Sequence, residues 1–234
     1  MPITEAIILA GGSGTRLRSV ISGLPKCMAP VGGKPFLHWV ISYFQKQGIE
    51  TFIFSLGYKH EIMEEYLHKK LPGVHYQLSI ENAPLGTGGA VKLACQKATT
   101  QDVAVINGDT LFKVQLQLLS TFHQEHHAEC TLCLKPMQNV DRYGTVELNE
   151  NREIRNFSEK KFHQNGLING GVYALKVKNF LDKHLPEKFS FEKEYLEKYY
   201  STGKLMGLIQ DEYFIDIGVP IDFERAQLEL NNMA

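Results

Sequence analysis

The 234 residues lack a long apolar run, an excess of either charge and a dense set of cysteines. Without a run of about 20 apolar residues, no segment reaches across a bilayer, and no membrane partner is expected. The start, Met1-Pro2-Ile3-Thr4-Glu5, has no basic stretch leading into an apolar one, so a signal peptide is not expected either. Lys and Arg total 25 against 26 Asp and Glu, so no overall field draws nucleic acid, and any phosphate must be held by a local site. Four cysteines (Cys27, Cys95, Cys130 and Cys133) are too few for a disulfide scaffold at this length. A reducing, cytoplasmic location is the expectation. Repeats, low-complexity tracts and linkers are missing too, and one domain over residues 1–234 is expected.

What is present suits an α/β fold. Hydrophobic residues make up 43%, enough for a substantial core. Buried-type strands are predicted at Glu5 to Ala10, Thr51 to Leu56, His75 to Ile80 and Val103 to Ile106. Helices are predicted between them at Pro35 to Gln47, Glu61 to Lys70 and Gly88 to Ala98, with another near Leu116 to Glu125. The alternation implies a Rossmann-like, mostly parallel sheet with helices on both faces. After Glu129 to Lys135, short strands at Gly144 to Leu148, Glu153 to Phe157 and Leu167 to Leu175 suggest a small mixed lobe. Two helical stretches, a strand ending at Asp216 and a helix from about Ile221 to Leu230 complete the chain.

Strand one runs into Gly11-Gly12-Ser13-Gly14-Thr15-Arg16-Leu17. Glycines there let backbone N–H groups crowd an anion, and Arg16 adds a planar, permanently charged fork. The competing reading is a tight turn, which one glycine would serve. Neither common nucleotide motif fits. A P-loop would close on Gly-Lys-Ser/Thr where Thr15-Arg16 stands, and a dinucleotide fingerprint would need glycine at Leu17. Lys26, after Pro25, follows closely; a solvated loop lysine is the alternative. A second glycine-rich turn, Glu81-Asn82-Ala83-Pro84-Leu85-Gly86-Thr87-Gly88-Gly89-Ala90, opens a helix whose N-terminus favours anions and whose small residues admit a flat base. Glu81 can accept from N1–H and N2–H₂ of guanine, or stand as a surface glutamate beside a turn.

Asp109, in Asn107-Gly108-Asp109, ends an apolar strand where open α/β sheets bind ligands. Asp216 ends another. Together they offer hard oxygen donors for one Mg²⁺ that also takes triphosphate oxygens; each alone would more often be a turn former. His123, His126, His127, Cys130 and Cys133 superficially suggest zinc. Strand residues three apart point to opposite faces, however, and the histidines fall on a polar helix end, so zinc is not expected. Trp39 and its neighbouring aromatics are read as core.

In this order, Leu9-Ala10-Gly11-Gly12-Ser13-Gly14-Thr15-Arg16-Leu17, Pro25-Lys26, Leu85-Gly86-Thr87-Gly88-Gly89, Asn107-Gly108-Asp109, Asn169-Gly170-Gly171 and Asp216 resemble the sugar-1-phosphate nucleotidyltransferases over essentially the whole chain. The resemblance implies a single nucleotidyltransferase domain with a sugar-binding lobe. It implies that Leu9 and Ala10 are nucleotide-binding and that Gly11, Gly12, Gly14, Thr15 and Arg16 wrap the triphosphate, with Arg16 on the leaving pyrophosphate. Lys26 would lie beside the α-phosphate; Glu81, Pro84, Gly86 and Thr87 would meet the base; Asp109 and Asp216 would hold Mg²⁺. Arg16, Lys26 and Asp109 would carry catalysis. Gly144, Glu159, Asn169 and Gly170 would contact sugar hydroxyls, and Lys160 the sugar phosphate.

Within that family the chain is most similar to the D-glycero-D-manno-heptose 1-phosphate guanylyltransferases. Its short length, Glu81 ahead of Pro84-Leu85-Gly86-Thr87-Gly88-Gly89-Ala90, and Ser190-Phe191-Glu192-Lys193-Glu194 carry that likeness. GTP and a heptose 1-phosphate are then the expected partners. A mannose 1-phosphate guanylyltransferase, a uridylyltransferase for a muramic-type sugar phosphate, and a non-catalytic nucleotide-sugar-binding regulator are the alternatives. Many members of the family are homo-oligomers.

Overall fold

The structure, a computed structural model, describes residues 1–12, 23–70, 73–158 and 161–231. Elements β1 (Glu5–Leu9), a tight turn at Lys26–Met28, the tiny hairpin β2 (Pro30–Val31) and β3 (Lys34–Pro35), and α1 (Phe36–Lys46) come first. Then follow β4 (Thr51–Leu56), α2 (His60–Lys70), β5 (His75–Ile80), α3 (Gly86–Cys95), β6 (Asp102–Asn107), β7 (Thr110–Phe112) and α4 (Leu116–Glu125). The lobe is built from β8 (Cys130–Val140), β9 (Thr145–Leu148), β10 (Ile154–Ser158) and β11 (His163–Lys176). After α5 (Val177–Leu181), a wide helical turn at Phe191–Leu196 continues into α6 (Glu197–Tyr199). The chain then forms β12 (Leu205–Ile209), β13 (Phe214–Asp216) and α7 (Pro220–Asn231). No helix among the described residues is long and apolar enough to cross a membrane.

The expected α/β architecture, with a mainly parallel central sheet, is present. Strands β6, β1, β4 and β5 lie side by side and parallel, so four carboxyl ends open onto one edge. Consecutive residues sort to opposite faces: Ile8, Phe54 and Ile106 pack with α1, α2, α4 and α7, whereas Ile7, Ile53 and Val105 pack with α3 and α5. Both faces are covered, which is why these strands read as unbroken apolar runs. Cys133 and Cys130 likewise fall in different core clusters, on opposite faces of β8.

The lobe departs from the sequence reading in length and partners. Strands β8 and β11 run well past their expected ends, because pairing with each other sustains their polar outer halves. Strand β11 also joins the lobe to the central sheet, lying antiparallel beside β6 through Val172–Lys176. Strand β12, parallel to β8, was not expected. Gly207 interrupts its apolar pattern, yet a side chain there would meet Leu148 at 2.5 Å, so the close approach requires it. His123 does stand in the last turn of α4, but it is buried there, 1% exposed, with its Nδ1 2.8 Å from the Thr131 hydroxyl as α4 packs on β8. Trp39 sits half-buried at the core edge, donating its indole N–H to the Val31 carbonyl at 3.0 Å.

Candidate active site

Two adjoining cavities open at the carboxyl edge of the parallel strands. The first, about 650 Å³, is walled by the ends of all four: Leu9, Gly11 and Gly12 after β1, Gly57 and Tyr58 after β4, Glu81 and Asn82 after β5, and Asn107 and Asp109 after β6. Pro84, Gly86, Thr87 and Ala90 close one side. The second, about 450 Å³, lies toward the lobe and shares Asn107 and Asp109 as a common wall. Lys26, Arg142, Tyr143, Asn169, Gly170, Gly171, Glu192 and Asp216 contribute to it.

Small local devices assemble this common wall. Strand β13 pairs with β7 so that Asp216 lies opposite Thr110, next to Asp109, and the Ile217 N–H closes on the Asp109 carbonyl at 3.0 Å. The tight turn after Pro25 presents Lys26, whose ammonium pairs with Asp109 and lies 3.7 Å from Asp216. Burial pushes the Asp216 carboxyl up, and the Asp109 charge adds to the push; Lys26 and the Gly218 N–H oppose it without prevailing. Tyr143 donates to Asp216 at 3.4 Å. Burial, then the Asp216 charge, raises the Tyr143 hydroxyl, which therefore stays a neutral donor. A register shift in β11 between Asn169 and Tyr173 turns Asn169-Gly170-Gly171 into the second cavity. The Asn169 amide is oriented by donating to the Tyr173 hydroxyl and accepting from the Gly171 N–H.

Glu81 is held beside the first cavity with one oxygen accepting the Leu85 N–H at 2.8 Å. Burial pushes its carboxyl up from the ordinary value, with that N–H pulling the other way. Its other oxygen faces Gly11, where a side chain would approach to 3.0 Å. Glycine at position 11 therefore lets strand β1 and the carboxylate coexist.

A family model described as Nucleotidyl transferase matches residues 5–233. The chain belongs to the nucleotidyl transferase family. It is 51% identical over 97% of its length to the D-glycero-alpha-D-manno-heptose 1-phosphate guanylyltransferase of Aneurinibacillus thermoaerophilus, of which it covers 99%. The Campylobacter jejuni enzyme of the same name is 46% identical over 94% of this chain and 96% of its own. A mannose-1-phosphate guanylyltransferase of Mycobacterium tuberculosis is 32% identical over 97% of this chain, which spans 64% of that longer protein. Among solved structures, HddC from Yersinia pseudotuberculosis complexed with GMP-PN superposes with a TM-score of 0.88 at 35% identity, covering 97% of this chain and all of that one.

In this nucleotidyl transferase, Leu9, Gly11, Gly12, Glu81, Pro84, Gly86, Thr87 and Asp109 border the first cavity. Lys26, Asp109, Asn169, Gly170 and Asp216 border the second. Gly14, Thr15, Arg16, Glu159 and Lys160 lie outside the described residues. Ala10 is buried behind the first cavity, donating its N–H to the Ser55 carbonyl. Gly144 does not line the second cavity among the described residues; a side chain there would meet the Ser158 carbonyl at 2.8 Å.

The helix-opening glycines share one task. Gly86 lines the cavity, and side chains at Gly86, Gly88 and Gly89 would meet the Phe189 carbonyl at 2.5 Å, the Phe189 ring at 2.1 Å and the Glu187 carbonyl at 2.4 Å. The Phe189–Phe191 segment docks there through Phe189 N–H to the Leu85 carbonyl, Gly88 N–H to the Phe189 carbonyl and Phe191 N–H to the Thr87 hydroxyl. That segment leads directly to Glu192 in the second cavity. Sequence reasoning assigned no role to Arg142, Thr110, Glu192 or Tyr58. Glu192 stands in a segment that carries the family likeness but without a role, the other three have no local pattern, and only the fold gathers all four.

Proposed function

We propose that this chain transfers GMP from GTP to D-glycero-α-D-manno-heptose 1-phosphate, releasing pyrophosphate and forming GDP-heptose. The observation that carries the reading is the shared wall: a nucleotide in the first cavity and a sugar phosphate in the second would meet at Asp109 and Lys26. Identities of 51% and 46% to the heptose enzymes, against 32% to the mannose enzyme, support the heptose over the mannose substrate. The shared walls also support reading residues 1–234 as one nucleotidyltransferase domain. Four buried, unpaired cysteines suit the reducing cytoplasm, where GTP is abundant.

In the proposed reaction, an oxygen of the sugar phosphate attacks the α-phosphorus of GTP while the bond from that phosphorus to the bridging oxygen of pyrophosphate breaks. Two anions must approach, so the protein's task is alignment and charge neutralisation rather than proton abstraction. Lys26, held between two carboxylates, is positioned to donate to the α-phosphate. Asn107 lies at the same boundary and can orient either reactant. Glu81 would accept from the guanine edge in its ionised form, and Thr87 would support the base side. Asn169 and Gly170 would meet the sugar, with Arg16 on the leaving pyrophosphate and Lys160 on the sugar phosphate.

Asp109 and Asp216 fit a divalent cation such as Mg²⁺. They are oxygen donors converging on one ammonium group, and the Asp216 carboxyl is raised first by burial and then by the Asp109 charge, both of which a bound cation would offset. Bound there, the ion would supply Lewis-acid stabilisation of phosphate charge.

Pyrophosphate release with Mg²⁺, crossing GTP, UTP, CTP, dTTP and ATP against heptose, mannose and glucose 1-phosphates, tests the proposal. Release confined to GTP with the heptose phosphate is expected. Release with mannose phosphate would change the sugar, and release with UTP would remove guanine reading from Glu81. Nucleotide binding without turnover in any combination would indicate a regulator instead.

A further inference from the structure

Among the described residues, Lys26 and Arg142 are the cations that line the second cavity, facing Asp109, Glu192 and Asp216. The two are held differently. Lys26 is already answered by both aspartates. Arg142, in the loop between β8 and β9, is tethered from behind: its Nη2 lies 2.9 Å from Oδ2 of Asp222, in the first turn of α7. Asp222 is 4% exposed, and its other oxygen lies 3.2 Å from Nη1 of Arg225. Arg225 in turn donates to the Phe214 carbonyl at 3.2 Å and sits 3.4 Å from Glu229. The Arg142 guanidinium also lies 5.8 Å from the centre of the Tyr143 ring, whose hydroxyl reaches Asp216. Its fork is thus secured near Asp216.

We propose that Arg142 binds the phosphate of the incoming sugar 1-phosphate, and that buried Asp222 is the residue that positions it. The inference rests on the function proposed above. A guanidinium offers N–H groups on more than one edge, so one edge can stay on Asp222 while another meets phosphate oxygens. The tether matters because an unrestrained arginine would lose rotamer freedom on binding, whereas this one has lost it on folding. The alternative is that Arg142 and Asp222 only pin α7 to the β8–β9 loop.

Initial rates of Arg142→Ala and Arg142→Lys in both substrates separate the two. The expected result is a KM for the sugar phosphate about tenfold to a hundredfold higher, with KM for GTP within about twofold, since a charge-assisted phosphate contact is lost from one substrate alone. Inhibition by inorganic phosphate, competing with the sugar phosphate, should weaken in parallel, while inhibition by the free sugar should not. Arg142→Lys should recover part of the loss, and Asp222→Asn should show the same split more weakly. A lowered melting temperature with both KM values unchanged would overturn the proposal, as would weakened inhibition by free sugar alone. If the wild-type protein is inactive across all nucleotide and sugar phosphate pairs, the proposed function fails. Calorimetric titration of inorganic phosphate into wild-type and Arg142→Ala protein then decides Arg142 separately: equal binding overturns its role and weaker binding in the variant supports it.

Discussion

The two cavities are built on opposite plans. The first draws its walls from turns at the ends of neighbouring parallel strands, and small or apolar residues dominate its lining, with Glu81 and Asp109 as its charges among the described residues. The second collects single residues from many segments: Lys26 before β2, Arg142 between β8 and β9, Asn169 within β11, Glu192 after α5 and Asp216 at the end of β13. A flat, neutral base needs a slot and a few edge contacts, so glycine turns suffice. An anionic, hydroxyl-rich partner needs opposed charges at fixed separations, which one turn cannot provide. The walls meet at Asn107 and Asp109, and the Phe189–Phe191 segment ties the helix beside one cavity to Glu192 of the other.

Substitution of the lysine that pairs with the shared Asp109 should erase the difference between the cavities. Lys26→Ala is expected to lower kcat by about a thousandfold, the scale for removing one preorganised donor at developing charge, with the melting temperature little changed. A collapsed melt in that variant would recast Lys26 as a structural residue.

Glu81→Gln should sharpen the contrast by acting on the first cavity alone. The preference for GTP over UTP is expected to fall about tenfold to a hundredfold, with the KM for the sugar phosphate preserved. The pH dependence has a definite sign. Burial raises the Glu81 carboxyl, so it takes up a proton at higher pH than an ordinary glutamate. The ionised form is the one that accepts from guanine, so the KM for GTP should climb as pH falls through that raised value. The Gln variant should lack this limb, and an unchanged profile would show that Glu81 does not read the base. For stability the sign is reversed: protonation relieves a buried charge, so acidification does not unfold the protein through Glu81.

The smallest effect should blur the contrast instead. Gly88→Ala would push a methyl into the Phe189 ring, which is 4% exposed and packed against Phe180, at a cost of about 1–3 kcal/mol of stability. Because the displaced segment carries Glu192, the KM for the sugar phosphate should rise severalfold although the substituted residue belongs to the helix beside the first cavity. An effect confined to GTP would show that the segment does not couple the two.

Much of the first cavity was legible in advance. Gly11, Gly12, Glu81, Pro84, Gly86, Thr87 and Asp109 fall in contiguous stretches, because a turn that crowds backbone around a ligand must be written with neighbouring residues. The same stretch misled where glycine served packing: Gly88 and Gly89 read as a surface for a base but accept Phe189 and Glu187. Arg142 and Asp222 left no signal at all, being separated by 80 positions and paired only when α7 folds against the lobe. His123, read as part of a polar helix end, is buried, because helix periodicity does not reveal which partner covers a polar residue.

The sequence by itself determined the parallel sheet, the position of its ligand-binding edge and the family, because apolar periodicity and glycine turns are local properties. Tertiary structure alone decided how β13 brings Asp216 to Asp109, how β11 turns Asn169 inward and how a buried aspartate orients Arg142. Those placements depend on contacts between distant segments, and their geometry exists only once the chain has closed around them.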